Sequence, residues 1–551
     1  MSSAEHDVEK SQDGTSIEKY PTKTYVIDDE NNRFDVASID GVQRRMKQRH
    51  VQMIAIAGTL GTGLFLGSGQ ALSGAGPVGA LIAYILIGSV AYSSLCSIGE
   101  MTSLAPISGT FPHFAARWVD PALGFALGWN YYYTNVMGVP VEVSGAQILI
   151  TYWDKDPSHA GIYIAVICVG VSAINIFGVQ YFAEAEFFFS LIKITMITGL
   201  ILLGVILDAE PGNGPNGGRL GFHYWHDPGV LNGAGLEPKH LGLDRFLGIV
   251  SVLVQAAFSY QSMELVAVAA SETKNPRRNI AKAVRRVFYR IFTFYILGIF
   301  ITGLLIPYND PALLHTSGTA ADSPYVLAMT RAGVKILPGI INAGIMTSAF
   351  SASNSFLFCS SRVLYGLALR GQAPRIFSRC TKKGLPLIAV LFSAAFSFLS
   401  LMSVSSGAET IFSWFVSLTT VGGFFGWGSI NLTYLFFYRG LKAQGIDRKQ
   451  LYYWSSLQPY LSIWGATWCA LLILINGFEV FWHFTASKFL TSYINIPIFF
   501  TLFTFWKITK KTKVRKPLEM DFVTGIPTPE ETESPEIPPR NFAEKVAAFL
   551  F

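Results

Sequence analysis

From Val51 to Trp506 the chain alternates between long apolar runs and shorter polar connectors. The runs fall near 51–73, 77–98, 124–150, 161–180, 186–207, 246–269, 287–307, 336–361, 386–404, 410–437, 460–481 and 488–506. Each is close to the ~20 residues that carry an α-helix across a bilayer. The pattern predicts an all-α polytopic membrane protein of about twelve spans, with its membrane domain over 44–507. Residues 1–43 are polar and acidic and are expected to form a disordered cytoplasmic tail. Residues 508–551 form a second cytoplasmic tail.

Charge sets the orientation. The connectors after spans 6, 8 and 10 and the tail after span 12 hold the dense basic clusters, among them Arg277, Arg278, Arg285, Arg286, Arg370, Arg375, Arg439, Lys442, Lys510 and Lys511. Arg44, Arg45, Lys47 and Arg49 precede span 1. The alternate connectors are poor in Lys and Arg, which puts both termini in the cytoplasm. The connector 179–186 fits worst, having no positive charge. Overall 51% of residues are hydrophobic and 14% charged, against roughly a quarter charged in soluble proteins. The net charge of +6 follows topology and does not point to nucleic acid. Five cysteines without framework spacing predict free thiols. The long connector 208–244, rich in Gly, Pro and His, predicts an ordered outer cap. His223 and His226 in it read as surface polar residues, so no metal site is assigned. Residues 362–376 predict a short interfacial amphipathic helix.

Two runs weaken at their centres. Span 1, Met53 to Gln70, reads MIAIAGTLGTGLFLGSGQ and carries Gly58, Gly61, Gly63, Gly67 and Gly69 with Thr59 and Thr62. Each interior glycine costs about 1 kcal/mol relative to alanine, so a plain anchor has no use for them. Span 6 reads FSYQSMEL at its centre, placing Ser259, Tyr260, Gln261, Ser262 and Glu264 inside an apolar run. Paired interruptions in corresponding places of two halves point to an inverted-repeat transporter and its binding site. A close-packing glycine face in span 1 and hydrogen-bonding glue in span 6 are the alternative.

The mechanics follow from the break. A half-helix starting near Thr62 has amides without intrahelical partners, at the positive end of its dipole. Thr62, flanked by Gly61 and Gly63, therefore suits a carboxylate. A half-helix ending near Phe258, Ser259 and Tyr260, with Gln261 beyond, offers carbonyls to an ammonium group. A carboxylate and an ammonium held a few ångströms apart describe a zwitterionic α-amino acid.

Ionisable residues inside spans are costly and functional by default. Glu142 in span 3 is a candidate for the substrate site. Lys193 in span 5 and Glu264 in span 6 are candidates for proton coupling. The alternative is a structural hydrogen bond to a broken helix for Glu142 and Glu264, and for Lys193 snorkelling to an interface or a structural pair with a Glu. Asn354 in SASNSFLFCSSR of span 8 and Thr419 of span 10 either line the cavity or serve packing.

The stretches GTLGTGLFLGSG, SIGEMTSLAPISGTF, VDPALGFALGWNYYY, SETKNPRRNIAKAV and SASNSFLFCSSRVLYGLALRGQAP closely resemble the fungal amino-acid permeases of the amino acid–polyamine–organocation superfamily. The resemblance covers roughly residues 44–515. It implies twelve spans: two inverted five-helix repeats (spans 1–5 and 6–10) with discontinuous helices 1 and 6, plus two extra helices. It also implies proton-coupled uptake at the plasma membrane, with no cofactor beyond the proton. By the same resemblance the substrate carboxylate goes to Thr62 and Gly63, its ammonium to carbonyls at Phe258 and Gln261, and Lys193 replaces a sodium ion. The amino-terminal Lys10, Lys19 and Lys23 become candidate acceptors for ubiquitin-ligase machinery.

The chain departs from the family at Ser262 and Met263, where a Gly-Thr pair is usual. The pieces VSSGA, AQGID and TKV look most like the dicarboxylic amino-acid branch. That branch carries an amide where Glu142 stands and an acid where Phe356 stands. A carboxylate at Glu142 repels an acidic side chain, which favours a neutral substrate over an acidic one. A sensor of the same fold is the rival function. No His or Cys cluster or triad order in the spans suggests an enzyme.

Overall fold

The computed structural model describes residues 46, 48–54, 60–107, 109–214, 217–271, 273, 275–314, 323–382, 384–533 and 541. The amino-terminal lysines, Arg44, Arg45, Lys47, Gly58 and Thr59 lie outside them. Among the described residues there is no strand, only an isolated bridge between Met46 and Thr273.

Every predicted apolar run contains helix among its described residues. Span 1 begins as α1 (Gln48–Met53) and resumes as α2 (Thr62–Phe65). It runs on into α3 (Gly67–Leu104). That helix holds the rest of span 1 and all of span 2, divided at Gly76. Gly76 has φ +75, a region open to glycine at no steric cost, and Pro77 follows. A short α4 (Thr110–Trp118) leads to α5 (Pro121–Ile150). Asp120 caps α5 by accepting from the Ala122 N–H at 2.8 Å, with Pro121 at the first turn. α6 (Ala160–Phe177) and α7 (Val179–Ala209) follow, separated only by Gly178. The sequence starts span 5 at 186, yet α7 begins seven residues earlier. The connector with no positive charge is thus mostly helix, and Arg49 pairs with its Glu184 at 2.5 Å.

The outer connector contains the single turn α8 (His223–His226), where both histidines lie, and ends in α9 (Leu241–Ser251). Span 6 continues as α10 (Leu253–Tyr260) and α11 (Leu265–Ser271). Span 7 is α12 (Pro276–Arg290), a π segment Ile291–Ile296 and α13 (Leu297–Leu305). Short α14 (Pro311–Leu314) and α15 (Pro324–Arg331) precede α16 (Leu337–Leu369). The interfacial helix expected over 362–376 is not separate: its first half is the end of α16. Gly371 at φ +67 stops that helix, its N–H bonding the Ala368 carbonyl at 3.1 Å. Next come α17 (Leu387–Ala395), α18 (Ser403–Ser406) and α19 (Ala408–Ala443). The last are α20 (Tyr460–Ile475), α21 (Ala486–Tyr493), α22 (Asn495–Lys510) and α23 (Pro529–Thr532).

Seven of these helical stretches are long and apolar enough to cross a membrane, or eight if α21 and α22, bent by 41°, form one span. α3 packs with α10, α12 and α13, α5 packs with α16 and α19, and α19 also packs on α3 and α20. All five cysteines are free.

Residues 515–533 strap one face of the bundle. The Arg515 N–H bonds the Val119 carbonyl at 2.8 Å, and Arg117 pairs with Asp521 at 3.0 Å. Met520 and Phe522 are buried against Gly440 of α19. Arg277 at the start of α12 donates to the carbonyls of Ser103 and Pro527 and to the Thr532 hydroxyl. The strap thus puts the ends of α3, α4 and α19 and the start of α12 on one face.

Candidate functional site

The two interrupted spans meet at their breaks. Gly61 is extended (φ −127, ψ −155) and the helix restarts at Thr62. In span 6 the helix stops at Tyr260, Gln261 turns out of it (ψ 157), and Ser262 takes φ +62. Gly63 lies against the first half of span 6 so closely that a Cβ there would fall 2.8 Å from Ser259 Cα. That contact is backbone on backbone, so only glycine fits without a shift.

Two backbone groups at the break in span 1 have partners inside the protein, while the buried Thr62 hydroxyl has none. The Thr62 N–H donates to Glu142 Oε2 at 3.1 Å. A Cβ on Gly61 would land on the same carboxylate. Glu142 comes from the middle of α5 and is 2% exposed. The Leu60 carbonyl accepts from the Ser348 hydroxyl of α16 at 2.7 Å. The hydroxyl-rich face of span 8 therefore packs against span 1, with Ala352 also touching Gly61's position.

Span 6 is different. Gln261 is 4% exposed, and neither its amide oxygen nor its amide nitrogen has a hydrogen-bond partner. The amide faces Gly423 of α19. A buried amide left without a partner costs ~1–3 kcal/mol, which a bound water or a ligand group would recover. Phe258 meets Phe412 edge-on at 6.1 Å and lies against Gly63. Ser259 bonds the Tyr84 hydroxyl at 2.9 Å, and Tyr260 stacks on Tyr295 at 4.3 Å while donating to the Tyr84 carbonyl. Ser259 and Tyr260 thus spend their hydroxyls on span 2. Glu264 accepts from the Trp427 indole N–H at 3.1 Å. Thr419 bonds carbonyls of its own helix, at Phe415 and Val416.

A second buried cluster stands beside the first. Lys193 is fully buried and within electrostatic range of both Glu186 and Glu142. Glu186 accepts from Ser351 at 2.9 Å and from Asn354 at 3.3 Å, and Asn354 also accepts from Asn175 at 2.6 Å. Asn354 therefore serves Glu186. Sequence reasoning missed Glu186, having left it at the edge of a connector. The signal was present: Glu186 and Lys193 are seven residues apart, which places them on one face of a helix. A lone buried charge costs several kcal/mol, so the lysine and two carboxylates sustain one another.

Phe356 packs on Gly138, one helical turn from Glu142, among apolar side chains that include Val139 and Val143.

The arrangement presents a helix-end amide held by a carboxylate, an orphaned amide at the other break, and a buried Lys–Glu pair alongside. The amino acid permease family model matches residues 50–519. The dicarboxylic amino acid permease of Saccharomyces cerevisiae is 39% identical over 90% of this chain and 81% of its own length. The proline-specific permease of Emericella nidulans is 40% identical over 92% and 93%. The lysine-specific permease of Saccharomyces cerevisiae is 39% identical over 84% and 75%. The chain belongs to the amino acid permease family: it is a multi-pass membrane protein that carries amino acids and not an enzyme.

Proposed function

We propose that the chain is a proton-coupled symporter for a neutral α-amino acid. It works at the plasma membrane by alternating access, with twelve spans, two inverted five-helix repeats and both termini in the cytoplasm. The observation that carries the reading is the hydrogen bond from the Thr62 N–H to Glu142 Oε2. A substrate carboxylate suits the same amide, so the two compete for it. A proton on Glu142 weakens its hold, because the ionised carboxylate is the stronger acceptor. Proton entry and substrate entry then favour each other, which is the requirement for symport. Lys193, between Glu142 and Glu186, supplies the positive charge that either carboxylate leans on when the other is neutralised.

Neutral selectivity rests on the apolar side chains beside Glu142: Phe356 packs on Gly138 among Val139 and Val143 and offers an acidic side chain no partner. The names of the relatives cover acidic, basic and imino acids, so the choice is made by local side chains and not by the fold.

The test is uptake of each of the twenty amino acids into proteoliposomes, with and without an inward proton gradient. Stimulation of neutral amino acids by the gradient is the expected result; indifference to it for every amino acid overturns the coupling. Lys193→Met is expected to uncouple or abolish uptake. Normal gradient-driven uptake in that variant would reduce Lys193 to a structural role.

A further inference from the structure

A cavity of about 440 Å³ opens at the other end of the bundle from the strap. α19 shows the separation: Ser413 and Ser417 near its start line the cavity, whereas Gln444 just past its end bonds the strap. The remaining wall comes from the end of α9, α10, the end of α20, residues 476–480 and α21. The volume lies within the ~300–1,000 Å³ of small-molecule sites.

This wall carries one buried group without a partner and two unpaired charges, the half-buried Glu479 and the exposed Lys488. Gln255 has a buried amide oxygen with no hydrogen bond. Glu479 and Lys488 both line the cavity, yet among the described residues neither makes an ion pair, with the other or with anything else. An acid and a base that face one space without meeting leave room for a molecule carrying both opposite charges. Gln255 ties this space to the broken span: its carbonyl accepts from the Ser259 hydroxyl at 3.1 Å, one turn from the Gly63 contact.

We infer that this cavity is a second binding site for a zwitterionic α-amino acid, a waiting site on the outer approach to the breaks. Lys488 takes the carboxylate, and Glu479 with the Gln255 oxygen takes the ammonium. Ser413 and Ser417 supply further hydrogen bonds. A zwitterionic lipid head group shares the charge pattern. The amino acid is favoured because Gln255 leads to the central breaks. The inference rests on the alternating-access reading above.

Equilibrium binding to the full-length protein tests it. The nanodiscs contain only phosphatidylglycerol, which has no ammonium group. The probes are the twenty ¹⁴C-labelled amino acids. Two equivalents of at least one probe are expected per chain. Lys488→Gln and Glu479→Gln should each weaken one equivalent about tenfold or more, which is ~1.4 kcal/mol. The other equivalent should be unchanged, and Lys488→Arg should restore the lost one. A single equivalent with the same affinity in wild type and Lys488→Gln overturns the inference and leaves the transport reading standing. Binding of no probe overturns both. Native mass spectrometry in phosphatidylethanolamine nanodiscs supplies the remaining arm. Lipid retained in wild type and lost in Lys488→Gln assigns the cavity to a head group and overturns the amino acid.

Discussion

The breaks in spans 1 and 6 lie against one another but are finished in opposite ways. At span 1 the backbone has internal ligands, Glu142 on the Thr62 amide and Ser348 on the Leu60 carbonyl, and the Thr62 hydroxyl is left unmatched. At span 6 the Gln261 amide is buried with both polar atoms unmatched. Two equally satisfied breaks would make a rigid packing feature. Two unsatisfied ones would not stay closed in a bilayer, where each orphaned polar group costs several kcal/mol. On the mechanism proposed above, Glu142 leaves the Thr62 amide before a ligand can take it. The difference separates a switch from a scaffold.

The most severe way to break this comparison is to push the halves apart. Gly63→Ala places a methyl 2.8 Å from the Ser259 backbone, and neither partner is a flexible side chain. Uptake is expected to vanish while the protein still reaches the membrane, as read by surface labelling. Near-normal uptake would mean that the two breaks need not touch.

The next test removes the stand-in charge. Glu142→Gln keeps an acceptor near Thr62 but no exchangeable proton. Gradient-driven uptake should fall at least about tenfold, equivalent to ~1.4 kcal/mol, and what remains should be flat between acid and neutral external pH. A retained rise at acid pH would move the coupling proton elsewhere, with Glu186 and Glu264 the remaining buried carboxylates of this site.

Gln261→Ala probes the open side. Losing a hydrogen bond to a charged group costs ~1.5–3 kcal/mol, which predicts a rise in KM of roughly 10- to 150-fold. Thermal stability should hold, because the amide has no partner to lose. An unchanged KM would make Gln261 a packing residue against Gly423.

The smallest expected effect is at Ser262, an L-residue at φ +62. The left-handed region costs ~1–2 kcal/mol for such a residue. Glycine avoids that strain but adds ~0.5–1 kcal/mol of chain entropy to the unfolded state. Ser262→Gly should therefore raise stability by on the order of 1 kcal/mol, seen as a slightly higher Tm. A lower Tm would show that the serine side chain contributes more than its backbone strain removes.

The sequence revealed the breaks because glycine crowding in span 1 and polar crowding in span 6 are local signals. Glu142 stood out for the same reason, as a charge in an apolar run. What it bonds did not, because the partner amide is 80 residues away. Glu186 was hidden by a boundary: a span is read from hydropathy, whereas α7 continues as helix through the polar residues before it. The roles of Ser259 and Tyr260 were equally out of reach. Their period places them at the break, but only the packing of span 2 turns their hydroxyls toward Tyr84. The division of span 1 from span 2 at Gly76 and Pro77 was legible, since those residues bend a helix wherever it packs.

The strap has a consequence in time. Asp521 follows Arg117 by 404 residues. At ~5–20 residues per second, synthesis separates the two by roughly 20–80 s. Through that interval the early helices lie in the membrane with the Arg117 guanidinium and the face beneath Phe522 still uncovered. The last contacts on this face form only after residue 533 is made. Machinery that scans it for bare charge and apolar side chains meets two different surfaces before and after that moment.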